Sequence, residues 1–233
     1  MPSVSQDNQA LTKRAAHISA LYGSFQKSLI GQVAEVLAGM GSGVFTLLTM
    51  NNKLEQMGRV ANEQFRLAIS MDLDELSERS LATSKADPDA SISSTALAVS
   101  QTLSRGFEAE LTGTVNRLIA RDVRTAIEFV RIQISQGRFS ASTSQLNDDI
   151  QFKTPDKAGR QLNTTDYLDR EVNWGYRQHY NTIMVHVLLS GDAEKARVDG
   201  GSKDGAEIDL MKFDEVQGSY FHHNSKSLLQ PLD

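Results

Sequence analysis

From Leu11 onward the apolar residues recur at Leu11, Ala15, Ile18, Tyr22, Phe25, Leu29, Val33, Val36 and Met40, in alternating steps of three and four. Only a helical backbone brings such positions onto one face, so the spacing predicts a long helix over 11–38. Lys13, Arg14, Gln26, Lys27 and Gln32 fall on the opposite side, as on a helix that is wet there and covered along its stripe. The glycine-rich corner Gly39-Met40-Gly41-Ser42-Gly43 ends it.

The same spacing continues through Val44, Leu47, Leu48, Leu54, Met57, Ala61, Phe65, Ala68 and Ile69, predicting a second, antiparallel helix over 44–71. Acids crowd the start of Asp72 to Leu81, which reads as a short third helix with charge in its first turn. Ser84 to Ser94 has the composition of a linker. The longest periodic run then passes through Leu97, Leu103, Phe107, Leu111, Val115, Leu118, Ile119, Val123, Ile127, Val130 and Ile134 to Gly137, predicting a helix over 97–136 with a kink near Gly113. Arg117, Arg121, Arg124, Arg131 and Arg138, with Glu108, Glu110, Asp122 and Glu128, are assigned to its polar face as a solvated surface rather than a phosphate stripe.

Polar residues from Phe139 to Asn163 suggest an extended loop or short hairpin, and Thr164-Thr165-Asp166 open a further helix through Leu189 that Gly191 terminates. The tail from Asp192 has turn signals and no helical period, which predicts irregular chain with two short strands. The fold class is thus mainly α: a long-helix bundle with a small irregular α+β C-terminal tail. By sequence order the chain divides into an N-terminal helical hairpin (1–83), a linker and long helix (84–138), and a polar loop, helix and irregular region (139–233).

Composition narrows the function. A formal net charge of −5 argues against a general nucleic-acid binder, and the lack of cysteine removes disulfides, thiolate metal sites and thiol nucleophiles. The N-terminus lacks the order of a secretory signal, which leaves a cytoplasmic or assembly-incorporated protein as the default expectation. Ser28 to Met50 is long enough to span a bilayer, but Gln32, Glu35 and the glycine corner interrupt it.

No motif carries chemistry. His179 and His186 share a helix face two turns apart, too far to hold one metal, and His179 is expected to be half buried beside Tyr176 and Tyr180. Asp166, Asp169 and Glu171 complement a helix N-terminus, and the glycines at 39–43 lack the Lys-Ser/Thr ending of a phosphate loop. No catalytic, cofactor-binding or metal-binding residue is assigned, and no cofactor is expected.

One resemblance adds to this reading. Asp169-Arg170-Glu171 on the late helix, followed by Phe221-His222-His223-Asn224-Ser225-Lys226 and Pro231, resembles the C-terminal third of the minor head, or head-morphogenesis, family of tailed-phage virion proteins. There an Arg-Thr-Glu-like segment precedes a small domain closing on a His-Pro-Asn-Cys-Arg-type sequence. This chain departs from that pattern with Ser225 at the cysteine and His223 at the proline. The resemblance implies a structural assembly subunit acting by helix-mediated protein contacts, as a homo-oligomer or within a larger assembly, without specific nucleic acid. The stripe Ile18, Phe25, Leu29, Val33 and Val36 is the expected interaction face, unless the helix from Val44 folds back over it. Competing expectations are a membrane-active ejected protein that inserts Leu29 to Met50, and an effector or enzyme centred on residues 166–186.

Overall fold

The computed structural model describes residues 4–84, 94–221 and 225–232. The chain is mainly helical: α1 (Val4–Gly41), α2 (Leu47–Thr83), α3 (Ser94–Ser135), α4 (Thr143–Asp149), α5 (Thr164–Ser190) and α6 (Phe213–Tyr220). The strands β1 (Lys153–Pro155) and β2 (Gln161–Asn163) form a hairpin, and β3 (Lys195–Asp199), β4 (Glu207–Asp209) and β5 (Leu228–Pro231) form an antiparallel sheet in the order β4-β3-β5. The expected linker falls largely outside the described residues.

Local chemistry places the boundaries. Gly43 takes φ +73° where α1 stops, Val44 N–H returns to the Gly39 carbonyl at 2.9 Å, and Phe45 lies directly over Gly39, where any Cβ would collide with its ring. Thr46 rather than Val44 then starts α2, its Oγ1 accepting from Thr49 N–H at 3.2 Å. No third helix begins at Asp72, because α2 runs unbroken through it. Inside the expected loop, Ser142 and Gln145 form a reciprocal capping box that nucleates α4. Gly137 closes α3 at φ +70°, whereas Asp192 (φ 61°), not Gly191, is the left-handed residue after α5.

The chain folds as two compact units that cut across the sequence-order boundaries 1–83, 84–138 and 139–233. Unit 1 comprises Met1–His17, Ala68–Leu111 and Asp169–Asp233. Its core joins Leu11, Ile69, Leu73, Leu76, Ile183 and Met184 to the inward side of the three-stranded sheet, with Ala196, Val198, Ile208 and Leu229 buried. Unit 2 comprises Ile18–Leu67 and Thr112–Leu168. Its core is the stripe of α1 packed on Leu54, Phe65, Val115, Ile119 and Val130, with Tyr22 at 5.7 Å from both Phe25 and Phe65, ring centroid to centroid. Gly58 lets α2 approach α3 closely, since a Cβ there would sit 3.1 Å from Val123.

Candidate functional site

The most elaborate polar arrangement lies in the core of unit 1, where alternating charges run from one buried end to the other. Tyr176 donates to Asp72 Oδ2 at 2.7 Å, and Asp72 Oδ1 meets Arg14 at 2.5 Å. Arg14 also pairs with Glu75, Glu75 with Arg79 at 3.2 Å, and Arg79 with Asp7 at 3.4 Å. Asp7 Oδ2 then accepts from Tyr180 and Thr83, both at 2.8 Å. Helical spacing makes this possible: Asp7 and Arg14 share a face of α1, Asp72, Glu75, Arg79 and Thr83 share one of α2, and Tyr176 and Tyr180 stack one turn apart on α5.

Both ends of this chain are closed to solvent, with Asp7 and both tyrosines at 0% exposure. Burial, reinforced by Asp72 and by Asp7, pushes both phenols well above their ordinary range and keeps them neutral donors. Burial opposes the charge on Arg14, but Asp72 and Glu75 outweigh it and hold the guanidinium more basic than usual. Glu75 is held below the usual carboxylate range because Arg14 and Arg79 outweigh its desolvation.

Between the two tyrosines on α5, His179 is fully buried, not half-buried as its neighbours suggested. Its Nε2 lies 2.9 Å from Ser77 Oγ and 3.2 Å from the Leu73 carbonyl, while Ser77 donates to that same carbonyl at 2.7 Å and also meets Ser104 at 2.8 Å. These contacts require the proton on Nε2, and Nδ1 has no partner. A second proton would be a buried donor without an acceptor, so burial pushes the imidazole down to about 4, against the pull of the Leu73 carbonyl. Although Ser77 and His179 are at hydrogen-bond distance, a donor nitrogen with no carboxylate behind it cannot act as a base toward that hydroxyl.

The rest of α5 is equally engaged. Gln178 donates to the Phe221 carbonyl at 2.7 Å, Asn181 Oδ1 accepts from Leu229 N–H at 2.9 Å, and Arg177 reaches Asn8 and Thr12 at 3.2 and 3.1 Å. The helix expected to centre an enzyme thus spends its polar side chains on the C-terminal chain and α1. His186 is exposed, and His222, His223 and Asn224 lie outside the described residues. Among the described residues no group of three or more metal-ligating side chains comes together.

Unit 2 buries one carboxylate, Asp122, at 0% exposure. The sequence reading placed it on the polar face of α3, but it points inward and accepts from Tyr22 at 2.9 Å and Gln26 at 2.7 Å, with Thr164 at 3.5 Å. No cation forms an ion pair with it among the described residues, and burial outweighs those hydrogen bonds and the weaker pull of the Arg121 charge, pushing its carboxyl up to about 6. The five arginines assigned to that polar face, Arg117, Arg121, Arg124, Arg131 and Arg138, are exposed.

The expected interaction stripe is a correction of another kind. Ile18, Leu29, Val33 and Val36 are 0% exposed and Phe25 is 8% exposed within the single chain, because α2 folds back over α1. The stripe therefore presents no free apolar face to a partner. Of these five, Phe25 lines a groove of about 360 Å³ with Leu21, Met57, Val60 and Phe65. Exposed apolar residues gather instead at the α1–α2 corner, where Val44 and Leu48 are 71% and 70% exposed. No helix among the described residues is long and apolar enough to cross a membrane, and Leu29 to Met50 is divided between α1 and α2 by the corner at Gly43.

The arrangement gives buried charges that fix helices in register, and exposed apolar side chains on a helix corner. No protein-family model, curated protein or solved structure matches the chain.

Proposed function

We propose that this chain is a structural assembly subunit, of the kind that builds a phage virion at its head, head–tail junction or interior, and that it holds protein partners rather than turning over a substrate. The supporting observation is the continuous ion-pair chain from Tyr176 through Asp72, Arg14, Glu75, Arg79 and Asp7 to Tyr180. A one-residue slip of α1, α2 or α5 would leave a buried charge without its partner, so the helices have one register and a fixed outer surface. An assembly subunit needs that fixity, because the same contacts recur at every copy. The virion assignment draws on the similarity at Asp169 to Glu171 and Phe221 to Pro231, with the virion or host cytoplasm as its location.

Sedimentation velocity over a wide concentration range tests this reading, followed by electron microscopy of the fastest species. The expected result is a closed oligomer or larger particle of defined symmetry. A chain that stays monomeric throughout, and that fails to enter particles when co-expressed with the structural genes beside its own, would contradict it.

A further inference from the structure

Five of the ten large apolar side chains exposed among the described residues belong to one end of unit 2: Val44, Leu47, Leu48, Ile132 and Phe139. Val44, Leu47 and Leu48 stand on the corner and the first turn of α2, three and four residues apart. Phe139 lies against the same corner, because a Cβ on Gly41 would fall 2.6 Å from its own. Ile132 follows from helix register. Gly58 of α2 meets Ile119 and Val123 of α3. The two helices run in opposite directions, as Gly41 against Phe139 and Glu35 against Lys53 require, so equal steps from that contact bring Leu47 level with Ile132.

Charge distinguishes this end from the rest of the chain. From Val36 to Asn52 there is no charged residue, and from Phe129 to Asn147 there are only Arg131 and Arg138. Both arginines are exposed, and neither is paired with a carboxylate among the described residues. Lys53, just behind the corner, is neutralised by Glu35, and the next acid back along α3 is Glu128. A chain with a net charge of −5 thus carries an apolar tip whose own segments, 36–52 and 129–147, hold two positive charges and no negative one.

We propose that this tip docks on an anionic lipid bilayer, with Val44, Leu47, Leu48, Ile132 and Phe139 entering the interface and Arg131 and Arg138 resting on the headgroups. This goes beyond the assembly reading and stands on a separate observation. A bilayer offers the two things the tip presents, an apolar interior and a negative surface above it. A second copy meeting tip to tip would set each arginine pair against its own image. The same negative surface attracts the two arginines of the tip and repels the acidic remainder of the chain. Nothing crosses the bilayer, and the corner lies in its surface layer.

The chain contains no cysteine, so Leu48→Cys creates a single labelling site for a polarity-sensitive dye, and Met211→Cys, 78% exposed in unit 1, gives a reference site. Each labelled chain is titrated with vesicles of phosphatidylcholine alone or mixed equally with phosphatidylglycerol. Circular dichroism of each variant confirms the fold. The expected result is a blue shift at position 48 with the anionic vesicles and little at position 211. Replacing Arg131 and Arg138 by Ala together lowers the partition by roughly thirtyfold. Unlabelled Leu47→Asp/Leu48→Asp protein no longer co-sediments with the vesicles while keeping its melting temperature. Absence of a shift at position 48, an equal shift at position 211, or a shift that grows with protein concentration in the absence of vesicles would overturn the proposal, the last by assigning the tip to a second copy.

Discussion

In unit 1 two buried carboxylates, Asp7 and Asp72, each face an arginine, whereas in unit 2 the single buried carboxylate, Asp122, is met by a phenol, an amide and a hydroxyl. Both arrangements satisfy hydrogen-bonding valence, but only the first supplies a counter-charge. Hydrogen bonds from neutral donors recover part of the hydration a carboxylate loses on burial, and the remainder appears as a carboxyl near 6 in unit 2. Unit 1 also buries His179 without an acceptor for its second proton, which lowers that group to about 4. The two units therefore hold titrating groups displaced in opposite directions.

The largest expected effect comes from removing a counter-charged partner. Asp72→Ala leaves the Tyr176 hydroxyl without its acceptor and Arg14 without its buried carboxylate partner, and should cost about 3–5 kcal/mol by urea denaturation. A cost below about 1 kcal/mol would mean that the ion-pair chain does not hold unit 1 together.

Asp122→Asn should act in the other direction. Its amide oxygen can keep both short bonds while its NH₂ faces Thr164, and the buried charge is removed. Because the folded carboxyl sits above its unfolded value of 3.8, the native state binds the extra proton between about 4 and 6, and stability from this group falls as pH rises through that window. The substitution should thus stabilise by up to about 3 kcal/mol at pH 7.5 and by little at pH 4. Destabilisation at pH 7.5 would show that the charge itself is needed.

His179 gives the complementary dependence. Its folded value lies below the unfolded 6.5, so the unfolded chain takes up the proton first and stability from this group is lost as pH falls from about 6.5 toward 4. His179→Gln should remove an acid loss of up to about 3 kcal/mol, at a modest cost near neutrality. Melting temperatures recorded against pH would expose an unchanged slope and refute the assignment.

The smallest effect is expected at the corner. Leu48→Ser should change stability by less than about 0.5 kcal/mol, because the side chain is 70% exposed. A larger loss would mean that the corner supports the core of unit 2 rather than standing clear of it.

Much of the architecture is legible in the sequence, since the periodic runs predict α3 and α5 within a few residues and the existence of α1 and α2, although α1 begins seven residues earlier than its stripe and α2 runs twelve residues beyond Met71, to Thr83. The buried charges are not, for a specific reason. Asp7 lies one turn before Leu11 in the phase of the α1 stripe, Asp72 falls between Ile69 and Leu76, and Asp122 between Ile119 and Ala126. Each is an acid at an apolar-phase position. Read by residue type they look like a first-turn acid or part of a wet face, whereas read by phase they point inward. The tyrosines of α5 and Tyr22 could have supplied the partners. The corner was misread by the same logic, since its apolar residues continued the helical count while Gly43 and Phe45 turned them out of the core. The stripe Ile18 to Val36 was legible as a contact face, and only the fold shows that α2 of the same chain covers it.

The central claim is that unit 1 buries a neutral imidazole, His179, and unit 2 a carboxylate without an ion-pair partner, Asp122, so that the two respond oppositely to acid. Native-state amide hydrogen exchange at pH 4.5 and pH 7, corrected for intrinsic exchange rates, measures each unit separately in one sample. Acidification should lower the protection of α5 around Tyr176 to Met184 and raise that of α3 around Val115 to Ala126. Protection that moves in the same direction in both segments, or in the reverse sense, would contradict the account.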